Sequence, residues 1–141
     1  MKKKFISIFF LLVCCIIFAN QANLVTSYNL NTECIEEKEF YSVVTYKASP
    51  VTIMLNNKQD VCLANILPVY VVGKGYVRAE FLQKDDEILY LDNETVITME
   101  IKKIKKEWDF KTFSTYVDVK DNSNYFTNNI LVHNINSTIF K

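Results

Sequence analysis

Apolar residues downstream of position 40 come in short runs, and that brevity constrains the fold more than any other feature of the chain. Val43 to Tyr46, Val51 to Leu55, Val69 to Val72, Ile88 to Leu91 and Thr95 to Ile104 are rich in β-branched and aromatic residues and are separated by polar punctuation. Runs of that length and composition read as strands, and none needs a helix longer than two turns. Asn56-Asn57-Lys58 can take positive φ between two such runs. Gly73-Lys74-Gly75 separates Val69 to Val72 from Tyr76-Val77-Arg78, so both segments predict hairpin loops. Ala79 to Gln83 is the one candidate for a short helical turn, ended by Lys84-Asp85-Asp86 before the strand Glu87 to Leu91. Pro68 has no amide hydrogen and should open a strand or lie at an edge. Val69-Tyr70-Val71 and Ile130-Leu131-Val132 are nearly continuous apolar stretches, which suits neighbouring central strands covered on both faces. The expectation is an all-β fold built as a chain of hairpins.

Half of the 141 residues are hydrophobic and 13% aromatic, with only 2 Gly and 2 Pro, so one domain with a buried core is the natural count. The 16 basic side chains balance 16 acidic ones, which leaves no field to attract nucleic acid. The single His excludes zinc sites that need several, and no cofactor is implied. Ile101-Lys102-Lys103-Ile104-Lys105-Lys106 precedes Trp108, and lysines beside aromatics are what phosphate and base contacts use. That run is short, lacks arginine and glycine, and continues a β-branched strand, so it reads as a solvated edge guarded by lysines. Phe110, Phe113, Tyr116, Tyr125 and Phe126 are expected in the core or in cross-strand pairs.

At the N-terminus, Lys2-Lys3-Lys4 precedes an uninterrupted apolar run from Phe5 to Ala19, followed by Asn20 and Gln21. This predicts a secretory signal peptide over residues 1–22, too short for a comfortable membrane span, with small residues at Ala19 and Ala22 as cleavage points. Any membrane contact would come through that segment, if it stays uncleaved. Cleavage after Ala22 leaves 119 of the 141 residues, with 13 basic against 16 acidic side chains, a net of −3. It also leaves Cys34 and Cys62 as the only cysteines, free to form one disulfide in an oxidising compartment or to remain thiols. Asn93-Glu94-Thr95 and Asn136-Ser137-Thr138 are acceptor sequons that suit a secreted chain.

Chemistry enters at the end of the chain, in Asn124-Tyr125-Phe126-Thr127-Asn128-Asn129-Ile130-Leu131-Val132-His133-Asn134. An asparagine amide can attack its own backbone carbonyl, closing a succinimide and expelling the next residue's amine, which would cut the chain after Asn134. A neighbouring imidazole such as His133 can protonate the leaving nitrogen or stabilise the oxyanion. The eleven residues resemble the C-terminal motif of the Hint family, the fold shared by inteins, bacterial intein-like domains and the autoprocessing part of hedgehog proteins. Pro68-Val69-Tyr70-Val71, with Gly75-Tyr76-Val77-Arg78-Ala79-Glu80-Phe81-Leu82-Gln83-Lys84-Asp85-Asp86-Glu87-Ile88, is similar to that family's central stretch. The resemblance runs from about Val51 to Asn134 and implies a compact Hint fold, incomplete in its N-terminal part, close to bacterial intein-like or ciliate-type domains.

The departures carry equal weight. Full inteins open on a Cys or Ser activated by a Thr-x-x-His motif, and the resemblance places Ala64 at that Thr and Leu67 at that His; neither can move a proton. Cys34 is the one upstream nucleophile left after cleavage, but it lies only 33 residues before Leu67 and beside Glu36, Glu37 and Glu39, which disfavour a thiolate. Ser123 stands where the family often has His, and Tyr116 near a frequent Asp that a small shift could restore as Asp118. Ile135 follows Asn134 where a splicing intein needs Cys, Ser or Thr, so ligation is not expected.

The domain plan is therefore a signal peptide (1–22), a linker or remnant of an opening Hint segment (23–42), a Hint-like domain (43–134) and a C-terminal tail (135–141). Two functions follow. One is a secreted autoprocessing domain whose substrate is its own backbone, limited to single-turnover cleavage at Asn134. The other is a decayed secreted β module that binds a partner the sequence does not name.

Overall fold

The computed structural model describes residues 23–135. The expected signal peptide, the Asn136-Ser137-Thr138 sequon and the rest of the tail lie outside the described residues. Twelve strands follow one another within them: β1 (Leu24–Asn29), β2 (Cys34–Glu39), β3 (Ser42–Ala48), β4 (Pro50–Leu55), β5 (Asp60–Ala64), β6 (Pro68–Val71), β7 (Gly75–Arg78), β8 (Glu87–Asp92), β9 (Thr95–Lys106), β10 (Lys111–Val117), β11 (Asn124–Thr127) and β12 (Ile130–His133). A single 3-10 turn, Ala79–Phe81, is the helical element among the described residues. The all-β expectation holds because each run is too short and too β-branched to propagate a helix, and polar turns stop it.

Eight strands share one sheet in the order β11-β12-β6-β8-β9-β4-β5, with β7 hydrogen-bonded to β6; β1 pairs with β2, and β10 with β3. The hairpin loops fall where positive φ was available: Lys58 at +66° between β4 and β5, and, both at +81°, Gly73 between β6 and β7 and Gly75 at the start of β7. Pro68 opens β6. β12 lies beside β6, with Val132 opposite Val69, and also meets β8, with Ile130 opposite Tyr90. Ile130, Leu131, Val132 and Val69 are all at 0% exposure, as a central position requires. They join Ile53, Leu55, Ile88 and Ile101 in the buried set.

Three details bear on the sequence expectations. Cys34 and Cys62 are free thiols, the first exposed beside the β1–β2 turn and the second half-buried in β5, so the candidate disulfide is not made. Phe110 is 71% exposed and Trp108 90%, because both lie in the β9–β10 connection, whereas Tyr125 and Phe113 do pack into or against the core. Residues 23–42, expected to be a linker or a remnant, hold the regular β1–β2 hairpin, and β1 packs on β11. The lysine-bearing half of β9 pairs with β4, and Lys102 and Lys105 form ion pairs with Glu100 and Glu107.

Candidate functional site

β12 delivers the site. Once its apolar residues are buried, the chain must leave the sheet at His133 and Asn134 in a fixed place. Asn134 is 3% exposed, and its amide donates to the Ser123 carbonyl at 2.9 Å. Ile135, 5% exposed, bridges Val117 in parallel. The Asn134–Ile135 peptide is therefore tied on both sides. The decisive distance is 2.7 Å, between His133 Nδ1 and the carbonyl oxygen of Asn134. A carbonyl oxygen can only accept, so Nδ1 carries the proton and the imidazole polarises the carbonyl that a cyclising asparagine would attack.

Asn128 and Asn129, at φ +47° and +66°, form the tight turn between β11 and β12, and asparagine tolerates that conformation better than other non-glycine residues. The resulting register sets Asn124 directly across from His133. Asn124 is fully buried with every polar atom engaged. Its Oδ1 accepts from Ser27 Oγ (2.7 Å) and from the Tyr28 amide (3.0 Å); its Nδ2 donates to the Tyr28 carbonyl (2.9 Å) and the Tyr76 hydroxyl (3.1 Å). Tyr76 in turn lies edge-to-face with His133, ring centroids 4.9 Å apart and planes at 80°. Burial pushes the Tyr76 phenol above its ordinary range, offset in part by the Asn124 hydrogen bond, so it stays a neutral hydroxyl at physiological pH.

The other candidates lie elsewhere. Asp118 is exposed just past β10, at φ +52°, one residue beyond the Val117 that bridges Ile135. Cys34 lines a shallow cleft with Glu33, Ile35, Glu94 and Thr95, its Sγ against the Thr32 carbonyl at 3.4 Å. Ala64 and Leu67 are 1% and 6% exposed and belong to the core. Tyr116 packs its ring on Phe40 and Tyr125. Ser123 contributes its carbonyl to the site. Among the described residues, no cluster of His, Cys, Asp and Glu is placed to hold a metal.

Tyr76, Ser27 and the partnership of Asn124 with His133 were not foreseen. The Asn128-Asn129 dipeptide could have signalled the last, since a two-residue hairpin turn fixes which positions face each other. Ser27 approaches Asn124 from 97 residues away in sequence, beyond any local rule.

This arrangement of strands has known counterparts. The DnaB intein from Synechocystis sp. PCC 6803 superposes with a TM-score of 0.71 at 14% identity, covering 82% of each chain. The fold is the Hint fold. The DnaX mini intein from Spirulina platensis gives 0.66 at 20% identity, over 81% of this chain and 83% of that one. The bacterial intein-like domain from Clostridium thermocellum gives 0.67 at 21% identity, over 82% and 86%. No protein-family model and no curated protein matches the chain by sequence. The Hint fold is thus found here at 14%, 20% and 21% identity to these three chains.

Proposed function

We propose that this chain is a secreted autoprocessing domain that acts on its own backbone and retains at most C-terminal cleavage. Asn134 Nδ2 attacks the Asn134 carbonyl carbon, forming the succinimide C–N bond. The peptide bond to Ile135 breaks, and the amide proton passes to the departing Ile135 amine. His133 donates from Nδ1 to the oxygen that becomes the oxyanion. The 2.7 Å contact between that nitrogen and that oxygen carries the reading, since preorganised donors at the developing charge supply much of the rate in acyl chemistry. Ligation is absent from the proposal because Ile135 has no nucleophile, and so is an N-terminal acyl shift, because Ala64 and Leu67 cannot assist one. Secretion rests on the lysine-led apolar run at residues 2–19 and predicts a mature N-terminus near Asn23.

Intact-mass measurement of the purified chain during prolonged incubation tests the proposal. Loss of a fragment equal to residues 135–141, absent in Asn134→Ala, is the expected result. A constant mass would favour the second reading, a catalytically decayed β module that binds a partner. One observation supports that alternative: Ile135, the residue to be expelled, is itself buried and bridged to Val117, so cleavage must act on an anchored strand.

A further inference from the structure

The contact between His133 and the Asn134 carbonyl needs the imidazole plane to be fixed, and among the described residues no hydrogen bond to its other nitrogen accompanies the Nδ1 contact. What adjoins the ring is Tyr76, nearly perpendicular to it. Tyr76 also meets Tyr70 edge-on, with centroids 5.4 Å apart, and its hydroxyl is gripped by Asn124. Asn124 is locked by three further hydrogen bonds to Ser27 and Tyr28. We infer that Tyr76 and Asn124 are positioning residues for His133: the Tyr76 ring sets the imidazole plane, and Asn124 sets Tyr76. The β1–β2 hairpin, which supplies Ser27 and Tyr28, thereby acts on a reaction at the other end of the chain. This inference rests on the proposed C-terminal cleavage for its catalytic consequence, but not for its geometry.

His133 is the only histidine, so its ring signals in a nitrogen-15 NMR spectrum of the full chain are unambiguous. An Asn134→Ala background keeps the residue 134 carbonyl while preventing cyclisation. There, at about pH 9, above the ordinary range of imidazoles, the ring should show the Nδ1–H tautomer. Tyr76→Leu, which fills space without an aromatic edge, should mix the two tautomers; Tyr76→Phe should restore the Nδ1–H form, and Asn124→Ala should weaken it. In the cleaving chain, Tyr76→Leu should slow tail release about tenfold or more, as misplacement of a catalytic group does, with Tyr76→Phe recovering most of the rate. A Tyr76→Leu variant that keeps both the tautomer and the rate overturns the inference while leaving the cleavage proposal intact. A chain that never cleaves overturns the cleavage proposal, and the tautomer series still decides whether Tyr76 orients the ring. Should Tyr76→Leu fail to fold, as judged by chemical-shift dispersion, Asn124→Ala with an unchanged tautomer overturns the inference alone.

Discussion

The end of β12 and the junction between β5 and β6 are built in opposite ways. At the first, His133, Asn134, Asn124, Tyr76 and Ser27 interlock through hydrogen bonds and ring contacts, although most are wholly or half buried. At the second, where the family resemblance places a proton-moving Thr and His, Ala64 and Leu67 offer only hydrocarbon to the core. Burying polar groups costs stability unless each finds a partner, while burying Ala and Leu contributes it directly. Polar side chains thus surround the Asn134 carbonyl and find partners there, whereas at the β5–β6 junction Ala64 and Leu67 offer no polar group to an N-terminal step. That contrast is what the proposed one-sided cleavage requires.

The contrast can be broken most decisively at Asn134. Asn134→Ala should abolish tail release entirely, and release that persists in the variant, followed by mass, would assign the cut to ordinary proteolysis. His133→Ala should slow release by roughly a hundredfold or more, the usual cost of losing a proton donor in the transition state. An unchanged rate constant would strip the 2.7 Å contact of its meaning. Leu67→Ala probes the other region: it should destabilise the fold by about 2–5 kcal/mol in denaturant titration, as deletion of a buried leucine does. The cleavage rate of the folded fraction should stay the same, and a large rate defect would mean that the β5–β6 junction still serves the chemistry.

A smaller effect is expected at high pH. Burial pushes the Tyr46 phenol up to about 12 and raises Tyr125 as well, so the folded state holds protons that unfolded tyrosines lose near pH 10. This contribution is complete below about pH 10 and is lost as the pH climbs toward about 12, because there the unfolded chain binds fewer protons. Denaturation midpoints measured across that window should fall, and less steeply in Tyr46→Phe. The smallest effect is none: strong thiol or hydroxylamine should leave the chain uncut near Cys34, as read by peptide mass. A thiol-dependent cut there would restore the N-terminal step and erase the contrast between the two regions.

Local pattern alone determined that this chain is all-β. Short β-branched runs, the Asn56 to Lys58 and Gly73 to Gly75 turns, Pro68 at a strand start and the Ala79 turn are properties of a few neighbouring residues, and each appears where its chemistry demands. The pairing of β6 with β12 was legible too, because uninterrupted apolar strands must be covered on both faces. His133 and Asn134 announced themselves by adjacency, since the imidazole and the carbonyl it contacts are one residue apart. The tertiary structure alone decided that Cys34 and Cys62 remain apart, that Phe110 faces solvent, and that the β1–β2 hairpin reaches Asn124. Those outcomes depend on which strands meet across nearly a hundred residues. Long-range pairing is selected by the summed burial of the whole sheet rather than by any segment's own preference. A serine such as Ser27 therefore carries no mark of its place until the fold has closed around it.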